Sequence, residues 1–122
     1  MLFNQRVLIV EDETLIAMEL ADIVEGAGAR VIGPVRSNRD AIRLIGREIP
    51  DLAVLDINLA DGDASPIFEA LTAAQVPVLI CTAGILPPRM RRSGSQPLVQ
   101  RKPVDAGRLV AALAGLPLPV LV

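Results

Sequence analysis

The chain has 122 residues, of which 52% are hydrophobic, and 12 Lys and Arg stand against 14 Asp and Glu for a formal net charge of −2. Such a chain can bury one core as one domain, 1–122, which excludes a disordered polypeptide. The near balance of charge excludes the basic surface that nucleic acid demands of a main partner, Phe3 and Phe68 alone supply no stacking platform, and the absence of His excludes a Ser-His-Asp triad, His-ligated zinc and His general-base chemistry.

Cys81 is the single cysteine, so no intrachain disulfide forms, which suits a cytoplasmic protein. It lies in an apolar run and reads as core filler rather than a nucleophile. Met1 to Val10 lacks the basic start and long apolar stretch of a signal peptide. No apolar run reaches the ~18 residues of a membrane span. The tail 115–122 is apolar but short and carries Pro117 and Pro119, so it reads as a strand-like or packing segment.

Arg6 to Val10 is a short, β-branched apolar run, predicted as a buried strand that ends in Glu11, Asp12 and Glu13. Ile16, Leu20, Ile23, Val24 and Ala27 then recur at helical spacing, and Gly26 and Gly28 close that helix. Arg30 to Val35 is a second, weaker strand, and Pro34 implies that it sits at an edge or ends there. Ser37 caps a second helix, whose apolar face is Ile42, Leu44, Ile45 and Ile49 and which Pro50 stops.

Leu52 to Ile57 is a third strand, followed by a loop from Asn58 to Pro66 and a helix through Ala74 that Pro66 opens. Within that loop, turn formation explains Asp61 and Asp63. Val76 to Thr82 is a fourth strand. Ala83 to Pro97, with Pro87, Pro88, Gly94 and Pro97, is irregular and holds one short helix at best. Leu98 to Arg101 is a fifth strand and Asp105 to Ala114 a last helix, with Leu109, Val110 and Leu113 inward. Apolar strands alternating with helices imply an α/β fold, a parallel sheet covered on both faces. Ligands bind such sheets beyond the carboxyl ends of the strands.

Those ends carry Glu11 and Asp12, Asp56 with Asn58 two residues on, Thr82, and Lys102 before Pro103. Clustered carboxylates repel and raise one another's pKa, and a hard divalent cation relieves this. Mg²⁺ takes oxygen ligands: carboxylates, a backbone carbonyl, phosphoryl oxygen and water. Asp56 can then act as a nucleophile toward phosphorus, with Lys102 and Thr82 meeting the phosphoryl oxygens. Taken alone, Glu11 and Asp12 also read as acidic residues capping a helix N-terminus.

The runs VLIVEDE (7–13) and LAVLDINL (52–59), with the pairs Thr82-Ala83 and Lys102-Pro103, resemble the receiver domain of two-component response regulators along essentially the whole chain. The resemblance implies a flavodoxin-like, doubly wound, five-stranded parallel sheet of order 2-1-3-4-5. It implies phosphorylation on Asp56, and Mg²⁺ held by Glu11, Asp12, Asp56 and the Asn58 backbone carbonyl. It makes Thr82 the switch hydroxyl and Lys102 the phosphoryl-contacting lysine, with a cis Lys102–Pro103 bond. The implied partners are a histidine kinase or histidine phosphotransfer protein as donor and a separate downstream protein, with neither nucleic acid nor membrane. The N-terminal half resembles single-domain regulators of alphaproteobacteria.

Two departures stand out. Val99 occupies the position, three before the lysine, where the family has an aromatic switch residue. The fourth helix is shortened or irregular, and Arg89, Arg91 and Arg92 read as a solvated loop. An output that orders or releases this segment fits better than a turning ring. Asp56-Ile57-Asn58 also faintly resembles the haloacid-dehalogenase signature, but Asn58 stands where that family has a second Asp. A pseudo-receiver, binding partners without phosphorylation, is the main alternative. A flavodoxin-like mononucleotide site lacks its Gly-rich loop. Apolar residues of the last helix and tail serve either a homodimer interface or the core.

Overall fold

The computed structural model describes residues 1–91 and 98–116. The first half runs β1 (Arg6–Val10), α1 (Thr14–Gly26), β2 (Arg30–Val35), α2 (Asn38–Ile45) and β3 (Leu52–Leu55). There follow β4 (Asn58–Leu59), β5 (Gly62–Asp63) and α3 (Ser65–Ala73). The last part holds β6 (Val78–Thr82), α4 (Pro88–Arg91), β7 (Leu98–Arg101) and α5 (Ala106–Ala114).

Five strands make one parallel sheet in the order β2-β1-β3-β6-β7. Counted within that sheet, this is the expected 2-1-3-4-5 order, and β2 with Pro34 lies at an edge. Side chains alternate between two apolar layers, as the pleat requires. Leu8, Val10, Ala53, Leu55 and Ile80 pack under α2, α3 and α4 with Ala41, Ile45, Ile67, Phe68, Leu71 and Met90. Val7, Ile9, Val54, Leu79 and Cys81 pack under α1 and α5 with Leu20, Val24, Leu109 and Leu113. Cys81 is 1% exposed, and burial pushes its thiol up to about 11, so it is core filler as expected.

The edge pairing is irregular. Leu8 pairs with Ile32 but Val10 with Val35, so β2 carries one extra residue at Gly33–Pro34. Gly33 has φ +95°, and a Cβ there would lie 2.9 Å from the Val35 nitrogen and 3.0 Å from the Ile9 oxygen. Both are backbone atoms that cannot move aside. Gly33→Ala is expected to lower unfolding free energy in urea by about 1–3 kcal/mol. An unchanged midpoint would show that the bulge relaxes.

Several boundaries differ from the sequence reading. Ser37 caps α2 as expected, its Oγ accepting from Asp40 N at 3.1 Å. The helix however ends at Ile45, before Pro50, and buries Asn38, Ala41 and Ile45. Ile42 and Ile49, expected inward, are exposed, because Ile42 falls beside the buried 38-41-45 stripe and Ile49 lies past the helix end. On α1 the inward face is Ala17, Leu20, Ala21 and Val24, with Ile16 and Ile23 half-buried beside it. Strand β6 begins at Val78, since Val76 N closes α3 on the Leu71 carbonyl and Pro77 has no N–H to give. The 58–66 loop contains the β4–β5 hairpin, with Asn58 opposite Asp63 and Leu59 opposite Gly62. Asp105 caps α5, its Oδ1 accepting from Arg108 N at 2.9 Å.

The fourth helix is one short turn, Pro88–Arg91, among the described residues. Arg89 there is not merely solvated: it pairs with Glu69 of α3 at 2.6 Å, with both side chains about half exposed. Arg92, the Ser/Gly run to Pro97 and the tail beyond Leu116 lie outside the described residues. No helix among the described residues is long and apolar enough to cross a membrane.

Candidate functional site

The carboxyl ends of the central strands converge as the topology predicts. Glu11 follows β1, fully buried, and Asp12 is half-buried beside it. Asp56 follows β3 at 6% exposure, its N–H still donating to the Val10 carbonyl at 3.0 Å. One carboxylate oxygen from each of Glu11, Asp12 and Asp56 lies within 4.8 Å of the others. Neither Glu11 nor Asp12 is the N-cap of α1, although Glu11 Oε1 accepts from Glu13 N at 3.4 Å. The N-cap of α1 is Glu13, whose side chain makes no capping hydrogen bond.

Lys102 enters this cluster from the far side of the sheet. Its Nζ donates to Glu11 Oε1 at 3.1 Å and Oε2 at 3.2 Å, and to Asp56 Oδ2 at 3.2 Å. Its backbone N–H donates to the Thr82 carbonyl at 3.1 Å, and the Lys102–Pro103 peptide is cis, as the resemblance implies. The other Asp56 oxygen accepts from Ile57 N at 2.7 Å. Asp56 thus keeps one oxygen against a cation and the other against its own loop.

Thr82 ends β6 at 1% exposure, and its hydroxyl accepts from Gly84 N at 3.0 Å. Asn58 opens β4 and is exposed. Gly84, which the sequence reading did not single out, packs against both. A Cβ there would lie 3.7 Å from Asn58 Nδ2 and 3.7 Å from Thr82 Oγ1, and 3.3 Å from Ile57 Cδ1. The Arg101 guanidinium donates to the Gly84 carbonyl. Val99, at the position of the family's aromatic residue, pairs with Ile80 and is half-buried against the first apolar layer.

Burial without full compensation pushes the Glu11 carboxyl up to about 7, although the Lys102 hydrogen bond pulls it back, and the neighbouring Asp56 charge adds to the rise. Burial also presses Lys102 down, but its bonds to Glu11 and Asp56 outweigh this and hold it above the usual lysine value. A raised carboxyl contributes stability below its unfolded value that is lost as pH climbs through the folded one. Asp51, Asp61 and Asp63 all sit below the usual carboxylate range, so they stay ionised through neutral pH and add nothing to the slope there. The metal-free protein is therefore expected to melt lower at about pH 8 than at about pH 5.5. Calorimetry showing the reverse order would contradict an over-acidic pocket.

The donor set suits a hard divalent cation: three carboxylates in reach, crowded enough to repel, with one partly neutralised by lysine. Soft ligands are absent from this cluster, Cys81 being buried in the core.

The family model for the response regulator receiver domain matches residues 7–114. This chain belongs to that family. Among curated proteins, the phyllosphere-induced regulator PhyR of Methylorubrum extorquens is 41% identical over 80 residues, covering 63% of this chain and 30% of PhyR. The receiver domain of PhyR from Erythrobacter litoralis, solved in solution, superposes with a TM-score of 0.77 at 29% identity, covering 99% of this chain and 98% of that one. SdrG from Sphingomonas melonis superposes with a TM-score of 0.76 at 33% identity, covering 91% of this chain and 94% of SdrG. The chain spans only about a third of the curated relatives it matches first. As a receiver domain it is a component of two-component signalling.

Proposed function

We propose that this receiver domain accepts a phosphoryl group on Asp56 in a Mg²⁺-dependent reaction, as a signalling switch or phosphate sink. The observation that carries the reading is the convergence of Glu11, Asp12 and Asp56 on one point with Lys102 Nζ bridging Glu11 and Asp56. The donor is a histidine kinase or histidine phosphotransfer protein. The product acts through a protein partner.

Glu11, Asp12, Asp56 and the Asn58 backbone carbonyl would hold the ion. Mg²⁺, when bound, offsets carboxylate repulsion and draws off phosphoryl charge. Asp56 supplies the nucleophile. The carboxylate oxygen that faces Lys102, Oδ2, forms the O–P bond while the P–N bond to the donor imidazole breaks, and the imidazole leaves with the electron pair and takes a proton from solvent. Lys102 Nζ bonds Asp56 Oδ2 at 3.2 Å beforehand and meets charge on the transferred group afterwards. The domain catalyses this step on itself, and also the later attack of water on phosphorus, which breaks the P–O bond to Asp56, releases inorganic phosphate and returns the free carboxylate.

Signal output must avoid an aromatic switch, since Val99 has no ring to turn. The Thr82 hydroxyl already holds Gly84 N, and Arg101 holds the Gly84 carbonyl. A Thr82 hydroxyl drawn to phosphoryl oxygen gives up its bond to Gly84 and loosens the segment leading to α4.

The test is intact mass after incubation with acetyl phosphate, with and without Mg²⁺, and then with a histidine kinase. Gain of one phosphoryl group only with Mg²⁺ supports the reading. No gain from either donor would leave the pseudo-receiver, a partner-binding module outside phosphorylation control, which Val99 favours.

A further inference from the structure

The β4–β5 hairpin is bolted to the β2–α2 turn by a set of hydrogen bonds that neither the family resemblance nor the acceptor chemistry calls for. Asp61 Oδ1 accepts from Asn38 N at 2.8 Å and from Asn38 Nδ2 at 3.2 Å, and Asp61 Oδ2 accepts from Arg39 N at 3.1 Å. The hairpin thus satisfies the first N–H groups of α2 with a charge suited to a helix N-terminus. These bonds hold the Asp61 carboxyl below the usual carboxylate range, the Asn38 backbone N–H foremost. Asn38 itself is 6% exposed and fully engaged. Its Nδ2 also donates to the Asp63 carbonyl at 2.8 Å, and its Oδ1 accepts from Ile67 N, in the first turn of α3, at 3.1 Å.

This bracket reaches the acidic pocket from two sides. Asp63, held by Asn38, is the residue paired with Asn58 across the hairpin. Ala64 N donates to the Ile57 carbonyl at 2.9 Å, and Ala60 N to the Arg36 carbonyl at 3.0 Å. On the other side, Arg36 Nε donates to the Asp12 backbone carbonyl at 3.1 Å. One turn, Arg36 to Arg39, therefore ties the segment carrying Asp12 to the segment carrying Asp56 and Asn58.

We propose that Asn38 and Asp61 are positioning residues for the divalent-cation pocket, holding the Asn58 loop and the Asp12 loop at the spacing an ion requires. This rests on the Mg²⁺-binding reading above. Ligand groups on two separate loops bind an ion tightly only when their separation is set in advance, and outer partners of metal ligands commonly matter about 10-fold or more in affinity.

The test is Mn²⁺ affinity by titration calorimetry on the whole chain, at a temperature where each variant is folded. Asp61→Ala and the uncharged change Asn38→Ala are each expected to weaken Mn²⁺ by about 10-fold. Asp61→Asn keeps an acceptor and is expected to recover part of the loss, whereas simple removal of a distant charge would make it equal to Asp61→Ala. Arg6→Met, which breaks the Asp51 and Glu48 pairs at the opposite end of β1, is expected to lower stability and leave affinity unchanged. Wild-type affinity in both alanine variants overturns the proposal, as does a loss in Arg6→Met of the same size. Absence of Mn²⁺ binding to the wild type overturns the pocket reading, and this proposal with it.

Discussion

Asp56→Asn is expected to abolish phosphoryl gain from acetyl phosphate and from a histidine kinase, a fall of at least about 100-fold that reads as no mass change. The amide is nearly isosteric with the carboxylate. Its oxygen can still accept from Ile57 N, as Asp56 Oδ1 does at 2.7 Å, so the loop keeps its anchor. What disappears is the anionic oxygen that faces Lys102 Nζ at 3.2 Å. A neutral amide does not form a stable ester with phosphorus, and the pocket loses one of its negative charges. The variant is therefore expected to fold and even to melt no lower than wild type, since repulsion with Glu11 is relieved. Unreduced mass gain in Asp56→Asn would place the acceptor elsewhere and end the assignment.

The second large effect is expected at Lys102. Lys102→Ala removes the only side chain that bonds both Glu11 and Asp56 among the described residues. Loss of one charged donor aimed at a transferring group costs about 100- to 1,000-fold in rate where such donors have been removed, and a similar fall in phosphorylation rate is expected here. Stability responds differently. Stripping a buried pair of its cation costs about 3–5 kcal/mol when the remaining charge cannot escape. Glu11 has an escape, because burial already raises its carboxyl to about 7, and without Lys102 it rises further and takes up a proton. The variant is accordingly expected to fold near pH 6 and to lose stability faster than wild type toward pH 8. Mg²⁺ is expected to restore it at the higher pH. A variant phosphorylated at the wild-type rate would remove Lys102 from the chemistry, whatever its stability.

Much of the fold was legible because it rests on local signals. Apolar strand runs such as Val7–Val10 and Leu52–Leu55 are fully buried, and the alternation with helices leaves little choice of architecture. The cap at Ser37 was equally local, its hydroxyl binding an N–H three residues away, whereas Asp105, read as the first residue of the last helix, is that helix's cap. Apolar faces were less secure. The isoleucines of α2 sit at helical spacing, yet the helix turns Asn38 and Ala41 inward and leaves Ile42 at 41% exposure. A buried asparagine outranks an isoleucine here because its amide joins the hairpin to α3, and that demand is invisible along the chain.

The sequence by itself determined which residues stand at the strand ends, and hence the chemistry available there: three carboxylates, a hydroxyl and a lysine. That followed from short-range order, since a strand and the residue after it are neighbours. Only the tertiary structure decided how they pair. Lys102 meets Glu11 across 91 positions of chain and Asp56 across 46, and nothing in either neighbourhood specifies which carboxylate it takes. It likewise decided that Asp61, which reads as a turn residue, closes on Asn38 across 23 positions. Such contacts depend on where whole elements come to rest when two apolar layers pack against one sheet, so their geometry belongs to the fold rather than to any segment of it.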